Sequence, residues 1–231
     1  SHGGLAVMSS PFIREIEVKS VITKSNLPVC EYSVNPYVGC THGCRYCYAS
    51  FMKRFTGHAE PWGTFLDVKI WPEIKNPKKY AGKELFISSV TDPYLPQEER
   101  YGRTRALLEQ LKESGAKISI ATKSVLILRD LDLIQAFPEA RVSWSVNTLN
   151  ESFKNDMDNA VRIERRLAAM KAFHDAGVET DVIVGFRSKD IVILEDEFKA
   201  CCDHFYMMTD DGSYGEKGFV TAKLQELLEK G

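Results

Sequence analysis

No stretch of this chain reaches the roughly 18–20 continuous apolar residues that a bilayer span requires, although apolar residues fill 44% of its 231 positions. Nor is there charge of one sign to speak of. The formal net charge is −2, so no global field draws a polyanion, and a nucleic-acid partner is not indicated by charge. The N-terminus, Ser1-His-Gly-Gly-Leu-Ala-Val-Met, lacks the basic-then-apolar order of a secretory signal. It also lacks an initiating Met, so residues 1–12 read as a disordered or foreign N-terminus and are set aside in assigning the fold. Cysteine is sparse outside one loop, with three of the six clustered, a usage that fits a reducing cytoplasm rather than a disulfide framework. No second C-x2-C half and no helically spaced His partner are present to complete a structural zinc centre.

What is present is the loop Cys40-Thr-His-Gly-Cys44-Arg-Tyr-Cys47, inside the run Asn35-Pro-Tyr-Val-Gly-Cys-Thr-His-Gly-Cys-Arg-Tyr-Cys-Tyr48. Spacings of four and three residues let three thiolates turn toward one centre. Thiolates are the usual ligands of iron–sulfur cubes, which commonly take four; three from one loop leave one iron open to a small molecule. Zinc, with His42 inside the loop, and three thiols without a metal stand as the other readings.

Strand and helix signals alternate along most of the chain, which predicts a parallel sheet with crossover helices. Expected strands are Glu31–Gly39, Phe65–Ile70, Glu84–Ser89, Lys117–Thr122, Arg141–Asn147, Thr180–Phe186 and His204–Thr209. Expected helices are Cys44–Phe55, Tyr101–Ser114, Leu126–Phe137, Val161–Ala176 with Gly177 as its terminator, Lys189–Cys202 and Phe219–Lys230. Trp71–Gly82, rich in Pro, Lys and Asn, reads as an irregular connection.

In such folds the chemistry gathers at the carboxyl ends of the strands. The first strand delivers the three cysteines, the next leads into Ser88-Ser-Val-Thr-Asp-Pro-Tyr94, and the third ends in Thr122-Lys-Ser124. The fourth carries Ser143, Ser145 and Asn147 at alternate positions. Small polar groups on one strand face, where Val or Ile is the ordinary choice, suggest a lined cavity.

The C-x3-C-x-aromatic-C pattern, with Tyr46 as the aromatic, resembles the signature of radical S-adenosyl-L-methionine (SAM) enzymes. From about Ile16 to about Val178 the chain is similar to the spore-photoproduct-lyase-like branch, and within it to the group called radical SAM mobile pair protein B. The phrases that carry this likeness are Ser33-Val-Asn-Pro-Tyr-Val-Gly-Cys, Phe51-Met-Lys-Arg-Phe, Val90-Thr-Asp-Pro-Tyr and Glu164-Arg-Arg-Leu-Ala-Ala-Met-Lys-Ala-Phe. The resemblance implies an α/β fold, a partial (β/α)6-type barrel, and a 4Fe-4S cluster held by Cys40, Cys44 and Cys47. It implies an enzyme that cleaves SAM reductively to a 5′-deoxyadenosyl radical, which then abstracts hydrogen from a substrate. An external low-potential electron donor of the flavodoxin or ferredoxin type is implied as partner, and a paired radical SAM protein is a further candidate.

Carried over residue by residue, the likeness places the backbone of Tyr46 against adenine and Thr91 and Asp92 at the methionyl amino group. It sets Lys123 near the methionyl carboxylate, and Ser145 and Asn147 near ribose or carboxylate. Each has a plainer reading. Thr-Asp-Pro is ordinary turn chemistry, most lysines are exposed, and polar residues in a buried sheet are commonly satisfied by protein partners. One departure stands out: where the lyase branch carries a cysteine hydrogen donor, this chain has Ser89 and Val90, which counts against repair of a DNA photoproduct.

Beyond Thr180 the likeness changes. Val182-Ile-Val-Gly-Phe-Arg-Ser-Lys-Asp and Thr209-Asp-Asp-Gly-Ser-Tyr-Gly-Glu-Lys-Gly-Phe-Val-Thr221 are similar to the end of the NAD(P)-binding domain in ferredoxin-reductase-like subunits, such as that of dihydroorotate dehydrogenase. The Gly-rich turn that holds a pyrophosphate is missing from this segment. The expected organisation is therefore a radical SAM core over 13–180 and an atypical C-terminal βαβα segment over 181–231, either a chimeric tail or a native one with an accidental likeness, the former being favoured. Two alternatives to the radical enzyme follow: an NAD(P)-linked electron-transfer fragment, and an inactive chimera that keeps only the cluster loop.

Overall fold

The computed structural model describes residues 11–25, 31–39, 59, 64–87, 91–147, 156–186, 195–209, 216–217, 223 and 226–227. Two sheets are present among them. The smaller joins β1 (Phe12–Glu17), β5 (Phe65–Ile70) and β4 (Tyr37–Val38), with β1 parallel and β4 antiparallel to β5. The larger has eight strands in the order β11-β10-β9-β8-β7-β6-β3-β2. Its members are β2 (Ile22–Lys24), β3 (Tyr32–Val34), β6 (Glu84–Ile87), β7 (Lys117–Thr122), β8 (Glu139–Asn147), β9 (Glu179–Phe186), β10 (His204–Thr209) and β11 (Glu216–Lys217). Only the β2–β3 pair is antiparallel; β3, β6, β7, β8, β9 and β10 run parallel in succession.

The alternation of β7 shows why the sheet is two-faced. Ile118, Ile120 and Thr122 are buried while Lys117, Ser119 and Ala121 are half-buried on the other side. Val142, Trp144, Val146, Val182 and Val184 continue the apolar face. They pack with Met170 and Phe173 of α4 (Asp156–Asp175) in the main core, where the Trp144 and Phe173 rings meet edge to face at 5.2 Å. Truncating an aromatic in such a core costs about 3–5 kcal/mol. On the opposite face the parallel register aligns Ser33, Phe86, Ser119 and Arg141 in one row. A second row holds Ala121, Ser143, Asp181 and His204. This second face is the one expected to carry small polar residues, and Ser143 and Ser145 lie on it, opposite the buried Val142, Trp144 and Val146.

Several elements depart from expectation for local reasons. The segment 31–39 is not one strand: Pro36 lacks a ladder donor, and the chain passes there from β3 in the large sheet to β4 in the small one. The helix expected over 101–114 is α2 (Arg103–Leu111), preceded by an unexpected short helix α1 (Glu98–Tyr101); Gly102 at φ +57° separates them, and its N–H closes α1 on the Glu98 carbonyl. The stretch 126–137 opens as a 3-10 helix, Val125–Asp130, capped by the Ser124 hydroxyl on the Leu126 N–H, before α3 (Leu131–Ile134). A 3-10 turn, Pro77–Tyr80, lies in the connection expected to be irregular. Phe12, inside the stretch set aside, starts β1. The expected helix 189–202 is α5 (Glu195–Ala200) in the described part, and Lys223, Glu226 and Leu227 are helical at the end of the chain. The helix expected over 44–55 lies outside the described residues. Among the described residues no helix is long and apolar enough to cross a membrane.

The boundary drawn at 180/181 falls inside β9, and the sheet continues through it. β9 pairs in parallel with β8 on one side and β10 on the other. The C-terminal segment thus supplies β10 and β11, which extend the parallel run that begins at β3.

Candidate functional site

Cys40, Cys44, Cys47 and Tyr46 lie outside the described residues; the backbone that enters their loop does not. Gly39 has φ +90°, and a Cβ there would stand 2.6 Å from the Phe65 carbonyl oxygen and 2.9 Å from its ring. Only a residue without a side chain lets the strand end pass this close to β5. The Gly39 carbonyl accepts a 2.5 Å hydrogen bond from the Thr91 hydroxyl, so the loop after β6 is fastened to the residue preceding Cys40.

Asp92, buried beside Thr91, fastens the same loop to the end of β7. Its Oδ1 accepts from the Tyr94 N–H at 2.9 Å and from the Thr122 hydroxyl at 2.7 Å, and its Oδ2 from the Lys123 N–H at 3.1 Å. Thr122 also accepts from the Ser124 N–H at 3.0 Å. The turn reading of Thr-Asp-Pro therefore holds in geometry. Lys123 and Ser145 are half-buried at adjacent strand ends. Asn147 ends β8 opposite Gly185, and its side chain is outside the described part. Thr91, Asp92 and Lys123 are thus brought together by direct contacts, with Ser145 and Asn147 toward the end of the next strand.

Behind this loop lies a network of buried charge. Glu98, fully buried at the start of α1, accepts from the Tyr37 hydroxyl at 2.5 Å and the Thr104 N–H at 2.6 Å on Oε1, and from Arg129 at 2.5 Å on Oε2. Arg129 also donates to both oxygens of Asp130, at 3.0 and 2.9 Å. Asp130, fully buried as well, further accepts from Arg105 at 2.7 Å and from the Tyr94 hydroxyl at 2.9 Å. Burial alone opposes ionisation of Asp130, but the bonds from Arg129, Arg105 and Tyr94 outweigh it and hold its carboxyl below the ordinary value. Burial, reinforced by the neighbouring carboxylates, pushes the phenols of Tyr37 and Tyr94 well up. Both tyrosines are therefore donors at any ordinary pH.

Sequence reading did not single out Gly39, Tyr37, Glu98, Arg129 or Asp130. The signal for Gly39 was its place directly before Cys40. For Glu98 there was no local signal, because Tyr37 and Arg129 stand 61 and 31 positions away.

At the other end of the strands a cavity of about 570 Å³ is lined by Phe86, Lys117, Ser119, Arg141, Ser143 and Asp181 among others. Two lining residues, Glu179 and Asp181, bring ligand-type atoms within 4.8 Å of each other and of His204. Arg141 and Ser143 both bond Oδ2 of the buried Asp181, so the protein already places a cation of its own on this cluster.

The Radical SAM superfamily matches residues 34–196. The uncharacterized protein MJ0683 of Methanocaldococcus jannaschii is 32% identical over 185 residues, covering 79% of this chain and 70% of that one. The chain spans 54% of the length of two further relatives. A spore photoproduct lyase mutant solved with dinucleoside spore photoproduct is similar in fold, with a TM-score of 0.57 at 16% identity over 85% of this chain and 61% of that one. A form of that lyase with bound AdoMet gives 0.56 at 14% identity over 94% of this chain and 66% of that one. A C-terminal likeness is separate: the dihydroorotate dehydrogenase B electron transfer subunit of Streptococcus thermophilus is 56% identical over 45 residues, 20% of this chain and 17% of that one.

Proposed function

Because the chain belongs to the radical SAM superfamily, we propose that it is an enzyme in which Cys40, Cys44 and Cys47 hold a 4Fe-4S cluster that takes SAM as its ligand. The observation that carries this reading is the span of the family match, residues 34–196, which takes in the cysteine loop together with Thr91, Asp92, Lys123, Ser145 and Asn147. The donor set fits the group: three soft thiolates close in sequence, fed by a glycine whose backbone is pinned by Thr91. When bound, the reduced cluster supplies the electron that cleaves SAM to methionine and a 5′-deoxyadenosyl radical able to take hydrogen from a substrate.

The chain's own residues bind and orient. Asp92, fixed in place by the Tyr94 and Lys123 N–H groups and the Thr122 hydroxyl, supplies the negative charge suited to an ammonium group. Lys123, whose N–H is tied to Asp92, offers a cation for a carboxylate. Ser145 and Asn147, at the end of β8, offer hydroxyl and amide partners for ribose. An external low-potential donor of the flavodoxin or ferredoxin type is the partner this chemistry calls for.

Anaerobic reconstitution of the full chain tests the proposal. The expected protein is brown, with about four irons per chain, and releases 5′-deoxyadenosine from SAM under a strong reductant. Full iron content in Cys40→Ala would remove the cluster assignment. Pyridine-nucleotide binding without SAM turnover would favour the electron-transfer likeness of the C-terminal segment instead.

A further inference from the structure

The Glu98 network reaches two places that matter, and each through a phenol. Tyr37 sits on β4, three residues before Cys40. Tyr94 closes the loop that carries Thr91 and Asp92. Between them stand two carboxylates and two guanidiniums, with Glu98, Asp130 and both tyrosines fully buried. Burying charge in this way is a poor source of stability, since apolar groups of similar volume commonly do as well or better. What a satisfied buried network gives is one fixed geometry.

That geometry has something to fix. β4 pairs with β5 through only Tyr37 and Val38, too short a ladder to hold its own direction. Besides the Lys69 N–H on the Pro36 carbonyl, the segment leading into the cysteine loop is pinned by side chains at Tyr37, through its hydroxyl on Glu98, and at Gly39, through its carbonyl on Thr91. The loop holding Thr91 is itself tied at Tyr94 to Asp130, and Arg129 joins Asp130 to Glu98. The two segments thus share one frame.

We propose that Glu98 is a positioning residue, which sets the strand end Tyr37–Gly39 that leads into the cysteine loop against the Thr91–Asp92 loop and so determines how tightly SAM is held. This rests on the radical SAM reading above. It predicts that the reconstituted Tyr37→Phe, Glu98→Gln and Tyr94→Phe chains keep about four irons and a cooperative melt. Their KM for SAM rises on the order of tenfold and kcat/KM falls on the order of 10- to 100-fold, the scale of a small misplacement remote from the chemistry. The EPR change that SAM induces in the reduced cluster then requires correspondingly more SAM. Because Tyr37 and Glu98 act through one bond, the Tyr37→Phe/Glu98→Gln double variant loses no more than the worse single one.

A wild-type KM and wild-type EPR titration in Tyr37→Phe, or losses that add in the double variant, overturn the proposal. If Tyr37→Phe does not fold, Tyr94→Phe carries the same test. If neither folds, the network serves stability and the proposal also fails. A wild-type chain that holds iron but shows no SAM-dependent EPR change fails the functional reading itself, which is a separate outcome.

Discussion

Gly39 occupies a position that refuses a methyl group twice over, by its φ of +90° and by the Phe65 carbonyl 2.6 Å from where a Cβ would stand. Gly39→Ala combines a left-handed backbone penalty with an overpacked contact, on the order of 2–5 kcal/mol together. The expected result is a lowered urea midpoint together with reduced iron uptake on reconstitution. Cys202 makes the opposite case of a residue that looks reactive and is not. Burial, with nearby Cys201, Asp181 and Asp203, pushes its thiol up to about 12, and its Sγ donates to the Phe198 carbonyl. Iodoacetamide at pH 9, followed by peptide mass spectrometry, should leave Cys202 unmodified in the folded chain and label it once urea is added. At this scale the sequence put Thr91, Asp92 and Lys123 at strand ends, and the structure joins Asp92 to the end of β7 there. Glu98 and Asp130 were opaque, since an acidic residue looks solvated until its partners from distant segments are brought against it.

The elements were legible where the period was clean. β5, β7 and β10 have the residue limits expected from alternation alone, and Gly177 stands just beyond α4 at φ +83°. They were not legible where one residue diverts the chain. Pro36 turns one expected strand into two that belong to different sheets, and Gly102 sets off a short helix ahead of the expected one. The segment after residue 180 was the hardest, because its likeness pointed to another fold while its pattern still spelled strand and helix. In the structure β10 covers one edge of β9, and Ile183 and Met208 are buried together with Leu227 packed against them. A chain ending at Asp203 would leave that edge unpaired and Ile183 without its cover. Size-exclusion chromatography should show it as aggregate, and a monomer with an unchanged urea midpoint would refute the role given to β10.

For the molecule as a whole, the balance of buried charge sets the acid limit. The folded-state value of Asp130 lies below its ordinary 3.8. Its contribution to stability is therefore present above that ordinary value and is lost as pH falls through the folded one. The urea midpoint should hold from neutrality down to about pH 5, then drop below pH 3.8. Asp130→Asn should begin from a lower plateau and show a shallower acid limb. An identical limb in the variant would mean that other carboxylates govern acid unfolding.

The parallel run from β3 to β10 also bears on how such a chain can change through time. Interior strands are paired along both edges, whereas among the described residues β10 and the short β11 beyond it join the rest of the sheet along one seam, that between β10 and β9. Thr91, Asp92, Lys123, Ser145 and Asn147 all lie on the β6–β8 side of that seam. An outermost unit can then be exchanged for one of different ancestry, provided it presents a strand of the right length and an apolar lining, without moving the groups around the cysteine loop. The edge of the sheet is a joint at which evolution can splice.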